Sequence, residues 1–451
     1  MGKQLTDNLA QFISWICFDE LPKEVVRQTK RCILDFLGVA LAGGSVGLAP
    51  LITNLICDMG GSEEATIIGD GRKIPALNAV FVNSIKGHTL DMDDGHRYAN
   101  GHPGVVVIPS AIALAEKENI TGKELIEAIV VGYEIFIRIA ALINPSHLKR
   151  GFHTTGTVGP FGAAAACSKI LNLNEREIKN ALAIAGLQGA GLLEVLTSGQ
   201  MMKPLHPGRA AQGGLIASLL AKGGAEGPNL ILEGEKGFFK AFSDVRQFNR
   251  ISSDLGNNFE IMNIYFKLHA ACRHIHPAID AVKEIMERNE IDIDKIKRIE
   301  VSTYSVAYHL TGRKREEDTE LGAKFNLPIS IALVLAYGKA GIDEYSMEHI
   351  KKPMVQELSK KVKVIVDKER DYVYPNKRSA CVKIEDSKGA YQYEVELPKG
   401  DPEVPLSDDE LKDKFFHNAK KALPIGKITK IQEAISNIEE KPIRELMKLV
   451  Y

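Results

Sequence analysis

A single tryptophan in 451 residues, and six cysteines without one C-x-x-C pair, set the first limits. Cys17, Cys32, Cys57, Cys167, Cys272 and Cys381 lie far apart, so their spacing supports neither a disulfide framework nor a thiolate zinc site. Reduced thiols in a cytoplasm are the simpler expectation. A dominant sign of charge is missing too: 57 Lys plus Arg face 58 Asp plus Glu, a formal net of −1, which gives nucleic acid no basic surface to bind. The opening MGKQLTDNLAQFISWICFDE has no basic stretch leading into an apolar run, so no secretory leader is expected. One uncharged stretch, Phe36 to Cys57, is about long enough to span a bilayer. Gly43, Gly44, Gly47 and Pro50 interrupt it, and two buried helices around a GGSVG turn are expected instead of a membrane span.

What is present, 45% hydrophobic and 25% charged residues, is enough to bury a large core and divide it among two or three domains of roughly 150 residues. The first half carries apolar residues at helical spacing in segment after segment, including 25–42, 75–90, 109–118, 122–143, 159–171, 175–189 and 209–222. Thr121 with Glu124 forms a capping-box pattern, as does Ser407 with Glu410, and Asn174 marks another helix start. Runs such as GPFGAAAAC and GRAAQGGLIASLL let helix axes approach closely. After about residue 264 the pattern alternates: KIKRIEVSTYSV, KKVKVIVDKE and SACVKIEDSKGAYQYEVELPKG read as strands, the last a hairpin about Asp386–Gly389. HPAIDAVKEIMERN and LPISIALVLAYGKAG read as helices between them, and helical spacing returns after Pro405. The expected fold is mainly α: a large all-helical domain from both chain ends, 1–264 and 400–451, with an inserted α+β lid domain, 265–399.

Nine of the twelve histidines fall between His88 and His276. The densest segment, KGHTLDMDDGHRYANGHPG, sets Asp91, Asp93, Asp94, His96 and His102 in a polar loop between two apolar helices. These residue types serve a metal ion, although D-x-D-D lacks the rest of a calcium loop and H-x5-H fits no zinc motif. They serve equally as general acid, general base and carboxylate-binding groups, or as helix caps with surface histidines. His153 stands in a Gly/Thr-rich turn before a helix, where free backbone amides favour an anion. GQMMKPLHPGRAAQGG contributes Lys203, His206 and Arg209. FKLHAACRHIHPAID places Lys267, His269, Arg273, His274 and His276 at the expected domain junction, a preferred position for ligand clefts. There is no G-x-S-x-G, no Walker lysine loop and no G-x-G-x-x-G after a strand. Proton transfer on a carboxylate-rich small molecule fits this inventory.

ILDFLGVALAG, NSIKGHTLDMDDGHR, GHPGVVVIPSAIALAE, GFHTTGTVGPFGAAAA, KPLHPGRAAQGGLIASLLA and HPAIDAV follow one another in an order that resembles the MmgE/PrpD family over nearly the whole chain. That family includes 2-methylcitrate dehydratases, cis-aconitate decarboxylases and iminodisuccinate epimerases. The resemblance implies a helical domain from both chain ends with an α+β lid, a homodimer, and a reaction without metal or organic cofactor. Position by position it implies catalytic roles for Asp91, His102, His153, Lys203 and His276, with Lys203, His206, Arg273 and His274 holding a di- or tricarboxylate substrate. Where both the dehydratase and decarboxylase branches carry threonine after the acidic cluster, this chain has Gly95. The implied activity is a methylcitrate dehydratase-like hydro-lyase first, then an epimerase or decarboxylase, with a catalytically silent carboxylate-binding protein as the alternative of another class.

Overall fold

The computed structural model describes residues 5–196, 201–312 and 319–451; residues 1–4 and Gly199–Gln200, which belong to segments read above, lie outside them. The chain is mainly helical with a smaller α+β portion. One hydrophobic core gathers residues from Leu9 to Phe266 and again from Leu406 to Val450. A second gathers Ala270 to Ile384, together with Val39, Ala42, Leu90 and Met92 from the first half of the chain.

The uncharged stretch folds as two helices, Lys23–Gly43 and Ala49–Asp58, and no helix among the described residues is long and apolar enough to cross a membrane. Around them lie Ala76–His88, Gly104–Glu118, Gly122–Ile143, Thr154–Ile170 and Leu205–Lys222. Small residues set the spacing between the last two. A Cβ added at Gly214 would sit 2.3 Å from Ala163 Cβ and 2.7 Å from Pro160 O, so only glycine allows this approach. The capping boxes at Thr121–Glu124, Asn174–Glu177 and Ser407–Glu410 are all formed.

In the second core the sheet order is Val362–Val366, Arg298–Thr303, Ala380–Glu385, Ala390–Val395; the first pair is parallel and the others antiparallel. The parallel pair needs a crossover, which carries the apolar helix Leu327–Tyr337. Asp386 closes the hairpin, its Oδ1 accepting from the amides of Lys388 and Gly389 at 2.7 and 2.9 Å. The helix His276–Arg288 packs on the two hairpin strands. One helical reading divides: the C-terminal pattern forms Ile425–Ser436 and Ile443–Met447, separated where Pro442 cannot continue a helix. The break ties the chain end to the body, with Gly122 N donating to Lys441 O and Ile443 N to Ile120 O.

Candidate active site

The helix Ala76–His88 stops at Thr89, and the chain turns through 89–103 before the helix Gly104–Glu118 begins. Asp91 takes φ 52°, a left-handed conformation that costs a non-glycine residue on the order of 1 kcal/mol. Polar loops usually face water, yet Asp91, Asp93, Asp94, His96 and Arg97 are all buried. Their partners explain this. Asp91 receives Lys203 Nζ at Oδ1 (2.5 Å) and Lys267 Nζ at Oδ2 (3.1 Å). Asp93 Oδ2 lies 2.9 Å from His88 Nδ1 and 3.1 Å from His102 Nδ1. Asp94 accepts from the Tyr133 hydroxyl (2.6 Å) and from Gly104 N (3.0 Å) at the start of the following helix.

The hydrogen bonds fix one tautomer. His102 Nδ1 lies 2.6 Å from Asp94 O, and a carbonyl can only accept, so the proton is on Nδ1 and the lone pair of the neutral ring is on Nε2. His88 packs edge-on against His102, with ring centroids 4.9 Å apart, and its buried Nε2 has no hydrogen-bond partner among the described residues. His153 caps the helix Thr154–Ile170 and faces His206 through a 3.0 Å Nδ1–Nδ1 contact, in which one ring donates to the other. His102 N donates to Thr155 Oγ1 (3.1 Å), which ties the loop to the helix that carries His153. One ligand atom from each of His88, Asp93 and His102 can be chosen within 4.8 Å of the others. At His102 the nitrogen facing Asp93 is the protonated Nδ1, a hydrogen-bond donor, which leaves Nε2 as this ring's lone-pair nitrogen.

Burial acts first on every charge here. It would raise the Asp91 carboxyl, but Lys203 and then Lys267 outweigh it and hold this group below the ordinary carboxylate range. Burial likewise opposes Asp93, and His88 and His102 reverse the outcome. Asp94 has no cation beside it: burial pushes it up to about 8 against the Tyr133 hydrogen bond, with Asp35 and Asp93 adding to the rise. Burial lowers His88 to about 4 despite Asp93, and it also lowers His153, to which Lys203 adds. The cluster therefore presents neutral imidazoles beside two ammonium groups that share one carboxylate.

Asp91, His102, His153, His206 and Lys203, all expected in the site, come together. His274 reaches it more remotely: Nδ1 bonds Tyr304 Oη at 2.5 Å, and Lys267 and Asp91 both act on its ionisation. His276 and Arg273 depart from the expectation. Arg273 is buried and committed to Asp401 (2.7 Å), Pro398 O (3.1 Å) and Lys399 O (3.1 Å). His276 Nδ1 accepts from Arg273 Nη1 (3.1 Å), so Nε2–H donates to Ala271 O (3.2 Å) and neither nitrogen is free to carry a proton elsewhere. No hydrogen bond among the described residues joins either of them to Asp91, His102, His153 or Lys203. Three participants lie outside the set of site residues that the family resemblance implies: His88, Asp93 and Lys267. Lys267 stands in the junction segment, but nothing in its spacing separates it from the four other basic residues there.

The MmgE/PrpD N-terminal domain matches residues 7–251 and the MmgE/PrpD C-terminal domain matches residues 269–440. The chain belongs to the MmgE/PrpD family. It is 28% identical to the cis-aconitate decarboxylase of Homo sapiens, covering 98% of this chain and 93% of that protein. It is 26% identical to the cis-aconitate decarboxylase-like protein oryM of Aspergillus oryzae, over 99% and 97%, and 23% identical to the mitochondrial 2-methylcitrate dehydratase of Yarrowia lipolytica, over 95% and 87%. Proteins named as decarboxylases and a dehydratase are thus among its relatives, which supports an enzyme.

Proposed function

We propose that this protein is a lyase that moves a proton at the carbon alpha to a carboxylate in a small di- or tricarboxylate, with a hydro-lyase acting on a methylcitrate-like substrate as the finer reading. The observation that carries it is the sharing of one carboxylate, Asp91, by two buried ammonium groups, Lys203 and Lys267. Two positive charges against one negative leave a buried excess that a substrate carboxylate completes. The same excess stabilises the enediolate formed when the alpha proton leaves. His102 Nε2 takes that proton, because Asp94 O and Asp93 hold the ring with its lone pair on this side. The beta hydroxyl leaves as water after receiving a proton from Lys203, whose charge acts on both His153 and His206.

Elimination needs a base and an acid at once, and a base on the His102–Asp93 side with a cation on the His153–His206 side supports that two-sided demand. Decarboxylation, in which carbon dioxide leaves and the vacated carbon takes a single proton, is the second reading; the higher identity to cis-aconitate decarboxylases favours it. Position 95 departs from both branches: a Cβ there would lie 2.3 Å from the Tyr265 hydroxyl, so the ring occupies the volume a threonine side chain would need. Asp91, Lys203 and His153 are at most 5% exposed, so a substrate reaches them only after a covering segment moves. The test is proton NMR of the protein in heavy water with citrate, 2-methylcitrate and cis-aconitate in separate tubes. Water loss from a citrate supports the hydro-lyase, and carbon dioxide release from cis-aconitate supports the decarboxylase. Unchanged spectra with folded protein, and no thermal stabilisation by any of the three, would remove the carboxylate reading.

A further inference from the structure

Beyond the end of the helix Ala76–His88 the main-chain carbonyls have no following turn to accept into, and they lie at the negative end of the helix dipole. Three consecutive carbonyls there are met by three buried lysines from distant parts of the chain. Lys324 Nζ donates to Leu90 O (3.2 Å), Lys267 Nζ to Asp91 O (2.8 Å) and Lys414 Nζ to Met92 O (2.8 Å). The three are between 1% and 6% exposed. Lys414 comes from the helix Asp408–Ala419 of the helical body and is fixed further by Asp35 Oδ1 at 2.5 Å. Lys324 ends the helix Glu320–Lys324, which belongs to the α+β portion. Its own carbonyl accepts from Cys272 N (3.0 Å), and the next residue, Phe325, sets its ring 5.3 Å from Lys203 Nζ. The dipeptide Lys324–Phe325 therefore touches both the loop that bears Asp91 and a lysine that Asp91 binds.

We infer that Lys324 is a positioning residue: it holds the main chain before Asp91, so that the carboxylate stands between Lys203 and Lys267 only while the α+β portion is docked. This rests on the proton-transfer reading of the site. Lys414 fixes the far side of the same residue whatever the α+β portion does. Asp91 needs such support because its backbone lies in the left-handed region, which a freed loop leaves readily. Without the bond from Lys324, Leu90 O is a buried unpaired acceptor and the loop relaxes toward another arrangement.

The test compares Lys324→Met, Lys324→Gln and a surface control, Lys363→Met, in the full chain. Methionine fills the lysine volume without the donor, and glutamine is one bond too short to reach Leu90 O. Two readouts are taken after melting curves confirm folding. The first is turnover or deuterium uptake with whichever of citrate, 2-methylcitrate and cis-aconitate the wild type processes; kcat is expected to fall by about tenfold or more, with KM within about twofold. The second needs no substrate: the NMR signals of the His102 ring, assigned with His102→Gln, are expected to move at fixed pH as Asp93 shifts with the loop. Both variants matching wild type in the His102 ring signals would overturn the positioning role. Wild type inert toward all three compounds would instead overturn the reading of the reaction, and the ring signals would still decide the role of Lys324.

Discussion

His88, His102, His153 and His206 make one concentration of imidazole and positive charge with Lys203 and Lys267; His269, His274 and His276 make another with Arg273 at the start of the second core. The second is the more heavily bonded of the two. His269 is bonded to Asp280 (2.9 Å), both nitrogens of His276 are taken, and Arg273 spans two carbonyls and the buried Asp401. In the first, His102 Nε2 and His88 Nε2 have no hydrogen-bond partner among the described residues, and two ammonium groups share one carboxylate. Composition does not separate these clusters. The sharpest difference lies between His276, with both ring nitrogens engaged, and His102, which keeps Nε2 open: a proton carrier needs an open nitrogen, whereas a strut needs none.

The widest way to break this contrast is His102→Gln, which is expected to lower turnover by about a thousandfold while the melting temperature changes little. A variant with more than a tenth of wild-type turnover would move the base elsewhere. Lys203→Ala should follow at about a hundredfold, since it removes half of the positive charge facing Asp91; turnover kept at the wild-type level would separate that charge from the chemistry. His276→Gln should behave oppositely, costing roughly 2 kcal/mol in chemical denaturation with less than about a tenfold change in turnover. A large loss of rate in a variant of wild-type stability would return His276 to the reacting groups.

The smallest expected effect is a slope. Asp94 has its folded pKa raised to about 8 from an ordinary 3.8, so the native state holds a proton that the unfolded chain has released. That contribution is full below the ordinary value and is lost as pH rises through 8, at up to about 1.4 kcal/mol per pH unit. Asp94→Asn should flatten the fall in stability between about pH 4 and 8, and parallel curves for the two proteins would show that Asp94 is ionised in the native state.

Sequence reading went furthest where structure is local. The capping boxes at Thr121 and Ser407, the helix start at Asn174, the hairpin about Asp386–Gly389 and the interrupted span at Gly43–Pro50 depend on neighbours a few residues away, and all are formed as expected. Asp91, His102, His153 and Lys203 could be proposed from the sequence because each sits in a long distinctive motif, and the structure brings them together. Lys324 and Lys414 escaped notice because their acceptors lie 234 and 322 residues away, and a lone lysine in a helix looks like any solvated one. Arg273 and His276 show the converse: their residue types suggest chemistry, while the structure bonds them to carbonyls and to one another.

Leu90 and Met92 point into the second core, while the residue between them carries the carboxylate that binds Lys203 and Lys267. Side chains flanking Asp91 are therefore packing residues of a different part of the molecule. A substitution in that packing, such as one that trims Ile279 or Leu333 and lets Leu90 settle deeper, would shift the acid without touching it. For this chain, the history of its core and the history of its chemistry are one record, because neither can be rewritten alone.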